Sequence, residues 1–101
     1  MKNQPVCLTL DNGDTLFTEL SAEDPGYFLL KHPYKVEVSN MGLMLRNWIP
    51  FSDSVYYTVM SDKVVNVSGL DDMHLKLYGS LLYKNLLLDT KARVSESYSS
   101  Y

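Results

Sequence analysis

The chain lacks most of the features by which secreted, membrane-spanning and phosphate-binding proteins are recognised in a sequence. Cys7 is the only cysteine among 101 residues, so an internal disulfide is excluded. The five glycines are scattered and form no phosphate-binding loop. No segment approaches the roughly 18 apolar residues of a transmembrane helix. The first residues have neither the length nor the small-residue cleavage site of a signal peptide, so the sequence predicts a cytoplasmic protein.

Groups that carry out catalysis or bind metals are also scarce. Only His32 and His74 could act as a base near neutral pH, and they belong to different predicted elements. A pair formed by Cys7 and His32 would supply a nucleophile and a base, but packing in a strand explains Cys7 better. The acidic residues between positions 11 and 24 lack the spacing of a calcium loop. We therefore expect no enzymatic activity, no metal and no cofactor.

Positive charge is in short supply. Nine Lys and Arg residues stand against 12 Asp and Glu residues, and the formal net charge is -3. A general nucleic-acid binder usually has a basic surface, because phosphate contacts supply most of its affinity. The charge balance argues against broad electrostatic binding of nucleic acid but leaves room for a small local site.

Apolar residues, in contrast, are plentiful at 46% of the chain, which is enough to bury the core of one domain. Up to residue 67 they mostly follow the two-residue period of strands. The Asn12-Gly13 pair predicts a hairpin over residues 6–20, because both residues tolerate positive φ. The other predicted strands cover 27–39, 43–51, 55–60 and 64–67. Five or six short strands separated by turns predict a small barrel or sandwich.

Near residue 70 the period changes to that of a helix, predicted over about 70–89. The segment 68–71, Ser-Gly-Leu-Asp, has the form of a capping box. We expect one apolar stripe to cover the barrel and a second to be covered by a neighbouring subunit. Residues 95–101 are expected to form a flexible tail, which leaves a single domain over 1–94. The first stripe contains Leu70, Met73, Leu77, Leu81 and Leu88, and the second contains Leu75, Tyr78, Leu82 and Leu86.

Two segments resemble the motifs of the Sm-like family. The first Sm motif consists of three strands with fixed apolar, glycine and aspartate positions, and five residues of this chain fall in step with it. Residues 59–67 look like the second motif, the turn between the last two strands, although a rival register places it at 49–59. The chain is similar in particular to small Sm-like proteins of tailed phages, including cyanophages. The residues in step with the first motif are Gly13, Leu16, Leu20, Asp24 and Leu29.

The resemblance implies a mainly β fold. We expect a strongly bent five-stranded barrel over about 5–68, followed by the C-terminal amphipathic helix. It also implies a closed homo-oligomeric ring that binds single-stranded RNA or DNA through the loops at 24–28 and 61–63. In this interpretation Tyr27 stacks on a base, Lys63 meets phosphate, and Ser61 and Asp62 form hydrogen bonds with base or sugar. Phe28, next to Tyr27, completes the expected nucleic-acid-binding set.

Several positions depart from the family pattern. Phe28 stands where the family has the asparagine that reads the base, and Thr18 replaces the glycine of the second strand. Ser61-Asp62 replaces an Arg-Gly pair, and Gly26 occupies the usual base-stacking position before Tyr27. The resemblance therefore implies that the chain binds nucleic acid, but it does not imply specificity for a particular base. The alternative is a structural module, such as a phage-encoded adaptor, that uses the ring or the helix to bind protein.

Overall fold

A computed structural model describes residues 4–99 of the chain, with side chains described as far as residue 87. The described chain is mainly β, as predicted, with antiparallel strands followed by one helix. Helix α1 starts close to its predicted position but continues well beyond residue 89. The flexibility of 95–101 stays a prediction. The elements are β1 Pro5–Leu10, β2 Thr15–Asp24, β3 Tyr27–Ser39, β4 Gly42–Asn47, β5 Tyr56–Met60, a 3₁₀ turn at Ser61–Lys63, β6 Val64–Gly69 and α1 Asp72–Ser99.

The first hairpin forms where it was predicted. Its turn is closed by a hydrogen bond from the Leu10 amide to the Asp14 carbonyl at 2.8 Å. Gly13 has a φ of 94°, a backbone conformation that residues other than glycine rarely adopt. The next strand is longer than predicted, because β2 continues to Asp24 and leaves only Pro25-Gly26 for the turn.

The sheet follows the order β4–β3–β2–β1–β6, and β5 also pairs with β3. The first five residues of β3 pair with β5, and its last six residues pair with β4. The strands β4 and β5 therefore lie end to end along β3, like one long strand interrupted by residues 48–55. The predicted strand 43–51 was too long, because Pro50 cannot donate to a ladder and Phe51 has a φ of 75°.

The sheet curls strongly. The Ser61 amide donates to the Gly26 carbonyl at 3.0 Å, and the Asp11 amide donates to the Lys63 carbonyl at 2.8 Å. Both ends of β2 therefore lie near the same three-residue turn, although ten straight residues would span about 33 Å. Within residues 4–99 no ladder pairs β5 with β6, so this curled sheet is not a closed barrel.

A bulge helps to bend β2 and β3. Two residues of β3, His32 and Pro33, lie opposite the single residue Thr18 of β2. The Thr18 side chain is fully buried, and its hydroxyl donates to the Lys31 carbonyl at 3.1 Å. Because an extra residue increases the local twist of a strand, the bulge accommodates a bend of both strands at Thr18.

The two faces of the sheet carry separate apolar cores. One face is lined by Leu8, Leu10, Leu16, Leu30 and Val59, all of which are buried. The other face packs against α1, where Phe17 and Tyr34 of the sheet meet Tyr78 of the helix. The helix is thus an integral layer of this domain.

The helix begins at a different cap from the one predicted. Ser68 and Gly69 belong to β6, so the proposed capping box does not form. Asp71 is the N-cap instead, and its carboxylate accepts a hydrogen bond from the His74 amide at 2.9 Å. This bond, together with contacts from the His74 ring, lowers the pKa of the Asp71 carboxyl.

Each predicted stripe of the helix was confirmed only in part. Leu70 and Leu81 of the first stripe pack against the sheet, and so do Tyr78 and Leu82 of the second. Met73 and Leu77 of the first stripe are 73% and 39% exposed, whereas Tyr78 of the second is 1% exposed. The buried face was missed because it also contains polar groups, which a search for apolar periodicity does not count. Leu88 lies outside the described side chains. The residues of α1 that face the sheet are His74, Tyr78, Leu81, Leu82 and Asn85.

Candidate functional site

Three turns meet at one corner of the sheet, and they contain the predicted nucleic-acid-binding residues. The 3₁₀ turn Ser61–Lys63 is bonded to the β2–β3 turn through Gly26 and to the β1–β2 turn through Asp11. Tyr27 also pairs directly with Met60, the last residue before the 3₁₀ turn. The predicted loops 24–28 and 61–63 are therefore neighbours, and we call this corner the turn cluster.

The two aromatic residues of the turn cluster differ in exposure. Tyr27 is 37% exposed and follows the tight Pro25-Gly26 turn. Phe28 is half-buried and packs against the buried cluster that contains Leu30 and Val59. Because neighbouring residues of a strand point to opposite faces, Tyr27 is the one available for stacking, and Phe28 holds the strand to the core.

The turn cluster is acidic. Lys63 is its one basic side chain in residues 11–14, 23–28 and 61–63, and its ammonium lies 3.8 Å from the Asp11 carboxylate. The nearby carboxylate partly neutralises the Lys63 ammonium and so weakens its attraction for phosphate. The same three segments contain five carboxylates, on Asp11, Asp14, Glu23, Asp24 and Asp62. The sequence alone did not reveal this concentration, because the curl of the sheet brings the segments together.

The loop of residues 48–55 leaves the sheet between β4 and β5, and we call it the excursion. A second candidate site is a cleft between this excursion, the bend of β3 and helix α1. It has a volume of about 230 Å³. No sequence motif pointed to it, and the only local signal was Pro50 within a predicted strand. The lining comprises His32, Pro33, Tyr34, Asn47, Trp48, Ile49, Ser52, Asp53, Ser54, Val55, Tyr57, Leu82, Asn85 and Leu86.

Hydrogen bonds hold the walls of this cleft in place. The Tyr57 hydroxyl donates to the Ser54 carbonyl at 3.1 Å, which ties the excursion to β5. The Asn85 amide donates to the Tyr34 hydroxyl at 3.0 Å, which ties α1 to β3. Partial burial lowers the pKa of His32, so its imidazole is neutral near neutral pH.

The described residues contain no group of three or more His, Cys, Asp or Glu side chains that could hold a metal ion. Cys7 and His32, the pair considered as a nucleophile and base, lie on β1 and β3, which are separated in the sheet by β2. Burial raises the pKa of the Cys7 thiol, which disfavours the reactive thiolate. Within residues 4–99, no helix is long and apolar enough to cross a membrane.

Comparison with known proteins gives no assignment. No protein-family model matches the sequence, and no curated protein matches it significantly.

Proposed function

We propose that this protein is an Sm-like module that assembles into a homo-oligomeric ring and binds single-stranded nucleic acid. The observation that carries this proposal is the turn Ser61–Lys63, which joins the two outer strands β5 and β6 and touches both hairpin turns. If β4 and β5 are counted as one interrupted strand, five strands occur in the order expected for an Sm-like sheet. The resemblance of residues 59–67 to the second Sm motif agrees with this arrangement.

Assembly into a ring has a physical reason in the sheet edges. Each of β5 and β6 has a ladder partner on one side only among residues 4–99, which leaves the other edge open to a second copy. Pairing of β5 with β6 of the next copy is a head-to-tail contact, and such contacts form a ring when the rotation closes. These strands also expose the apolar side chains of Tyr56, Met60, Val65 and Val67.

The paired substitutions Met60→Asp and Val65→Asp are expected to convert a native oligomer into monomers. Both side chains are more than half exposed in one copy, at 57% and 67%, so the fold should survive. Two carboxylates buried at a subunit contact would be left unpaired, at a cost of several kcal/mol. Light scattering after size-exclusion chromatography measures the mass.

The matched control is Met44→Asp, on the β3–β4 hairpin, where the side chain is 58% exposed. This variant should retain the wild-type mass. A monomeric wild-type protein at tens of micromolar would refute assembly into a ring.

Binding of nucleic acid is proposed to depend on stacking more than on charge. Tyr27 offers an exposed ring on a strand whose backbone is paired next to the turn that carries Ser61 and Asp62, two residues that can form hydrogen bonds. Because the turn cluster carries five carboxylates and one lysine, few phosphate contacts are available. Affinity should be weak and should depend only shallowly on salt concentration.

Tyr27→Ala is expected to weaken binding of single-stranded oligonucleotides about tenfold, since one stacked base is worth about 1–3 kcal/mol. Fluorescence anisotropy with labelled RNA and DNA of mixed sequence measures the affinity. Tyr83→Ala, on the exposed side of α1, is the control and should bind as the wild type does. Equal affinities for wild type and Tyr27→Ala would remove the turn cluster as the binding site.

The second candidate function is a protein-binding adaptor, and the acidity of the turn cluster favours it. Asp11 and Asp14 form ion pairs with Lys63 and Lys35. The further carboxylates of the cluster, on Glu23, Asp24 and Asp62, attract basic peptide segments and repel phosphates. Absence of oligonucleotide binding at low salt, in a protein that still forms a ring, would favour the adaptor over the nucleic-acid binder.

A further inference from the structure

The cleft between the excursion 48–55 and helix α1 contains features that the packing of the sheet does not require. Both β4 and β5 pair with β3, so a shorter connection would preserve the ladder. The excursion instead leaves the sheet and returns, and its Trp48 ring packs edge to face against the Tyr57 ring of β5, with centroids 5.9 Å apart.

The backbone at the cleft is strained. His32 lines it with a φ of 53°, and Phe51 lies in the excursion with a φ of 75°. No other residue except glycine has a positive φ in the described part of the chain. The positive φ of His32 belongs to the bulge opposite Thr18, which bends β3 and shapes this wall of the cleft.

The lining of the cleft indicates the chemistry of a ligand. The half-buried rings of Trp48 and Tyr57 suit a flat molecule, whereas Tyr34 is almost fully buried in the core and adds little open surface. The exposed amide of Asn47 provides a donor and an acceptor. The Asn85 amide nitrogen already donates to Tyr34, so Asn85 contributes mainly its side-chain oxygen, and together they match the edge of a heterocycle. No Lys or Arg occurs in the lining formed by the described residues, so the cleft offers no cation to a phosphate.

The volume of the cleft indicates the size of the ligand. The volume of about 230 Å³ is below the roughly 300 Å³ at which pockets for drug-sized ligands begin. One ring system fits this volume, and because the cleft is open on one side, the sugar of a nucleoside can remain outside. We propose that this cleft binds a single uncharged nucleobase, with the flat face against the aromatic wall and the edge toward Asn47 and Asn85.

The cleft is distinct from the turn cluster. His32 lies five residues along β3 from Tyr27, roughly 16 Å in a strand. The inference therefore needs neither the ring nor stacking on Tyr27. The base has two possible sources, a free nucleoside or one unstacked base of a single strand, and the two sources can be separated experimentally.

Trp48 provides the readout, because it is the single tryptophan of the chain and lines the cleft. Titration of the wild-type protein with adenosine, cytidine and uridine should change its fluorescence saturably for at least one nucleoside, with a Kd of about 1 mM or tighter. Absence of a saturable change up to about 10 mM of every nucleoside would overturn the inference.

Asn47→Ala and Asn85→Ala should each weaken nucleoside binding about five- to tenfold, which corresponds to the loss of a hydrogen bond. Asn47 is exposed at the end of β4, so its replacement tests the site even if Asn85→Ala disturbs the helix. Asn66→Ala, exposed on β6 and outside the cleft lining, is the matched control and should bind as the wild type does. Wild-type affinity in Asn47→Ala and Asn85→Ala would exclude the cleft.

Short oligonucleotides distinguish the two sources. If the base of a strand enters the cleft, Asn47→Ala will weaken oligonucleotide binding even in the Tyr27→Ala background. If only free nucleosides bind, the oligonucleotides will leave Trp48 fluorescence unchanged while nucleosides still change it. Either result supports a base site, and neither depends on the turn cluster, whose failure appears separately in the Tyr27→Ala comparison.

Discussion

Tyr78→Ala is expected to lower the free energy of unfolding by about 3–5 kcal/mol, as large aromatic-to-alanine changes in a core do. The side chain is 1% exposed, and its ring packs edge to face against Tyr34 with centroids 5.7 Å apart. Its hydroxyl donates to the His32 carbonyl at 2.8 Å, so one residue attaches α1 to the bend of β3. Domains of this kind have only about 5–15 kcal/mol in total, so the loss should be severe.

Tyr78→Phe separates the hydroxyl from the ring. This variant should lose only about 1–3 kcal/mol, because it keeps the packing and leaves the His32 carbonyl without this donor. Burial raises the pKa of Tyr78, in agreement with a hydroxyl that remains protonated and donating. Tyr83→Ala, 66% exposed on the same helix, should change stability by less than about 0.5 kcal/mol. Urea unfolding followed by circular dichroism measures all three, and equal effects at positions 78 and 83 would contradict the described helix face.

Leu82→Asp is expected to destabilise the domain by about 2–4 kcal/mol. Leu82 is half-buried and packs against the cluster of Phe17, Tyr34 and Tyr78, where a carboxylate would lose apolar contacts and part of its hydration. Leu77→Asp should be much milder, because Leu77 is 39% exposed and its new carboxylate can stay hydrated.

The comparison of these two variants tests the packing of the helix within one subunit. The predicted stripes assigned Leu77 to the subunit core and Leu82 to a contact with a neighbour. They therefore predict that Leu77→Asp destabilises the fold more than Leu82→Asp, the opposite of what the structure predicts. Thermal unfolding and sedimentation of both variants distinguish the alternatives. Loss of assembly without loss of stability in Leu82→Asp would restore an inter-subunit role.

Local patterns in the sequence predicted the elements whose signals lie close together in the chain. The Asn12-Gly13 turn and the alternation around it predicted the first hairpin, because a two-residue turn and its flanking strands depend on neighbouring residues alone. The change of period near residue 70 predicted a C-terminal helix for the same reason. The longest strand, β3, was also predicted over its full length in spite of Pro33.

Errors arose where distant contacts override local preference. Leu43 to Phe51 alternated like one strand, but only residues as far as Asn47 find a partner on β3. The helix stripes were wrong in part because His74 and Asn85 pack inward through contacts with Phe17 and Tyr34, which no local period encodes. The cap was misplaced because Ser68 is bound into the ladder with β1.

For the candidate sites, residue types and local turns could be read from the sequence, whereas their neighbours could not. Tyr27 and Ser61–Lys63 were selected by resemblance, and tertiary structure made them adjacent and surrounded them with carboxylates from three turns. The cleft could not be predicted from the sequence at all, because its walls come from β3, the excursion and α1.

The amino-acid sequence by itself determined the turns, the strand periods and the terminal helix through short-range preferences of the backbone. Only the tertiary structure decided which distant groups share a site, because the curl of the sheet and the packing of α1 bring residues such as His32 and Asn85, far apart in the chain, to the same cleft.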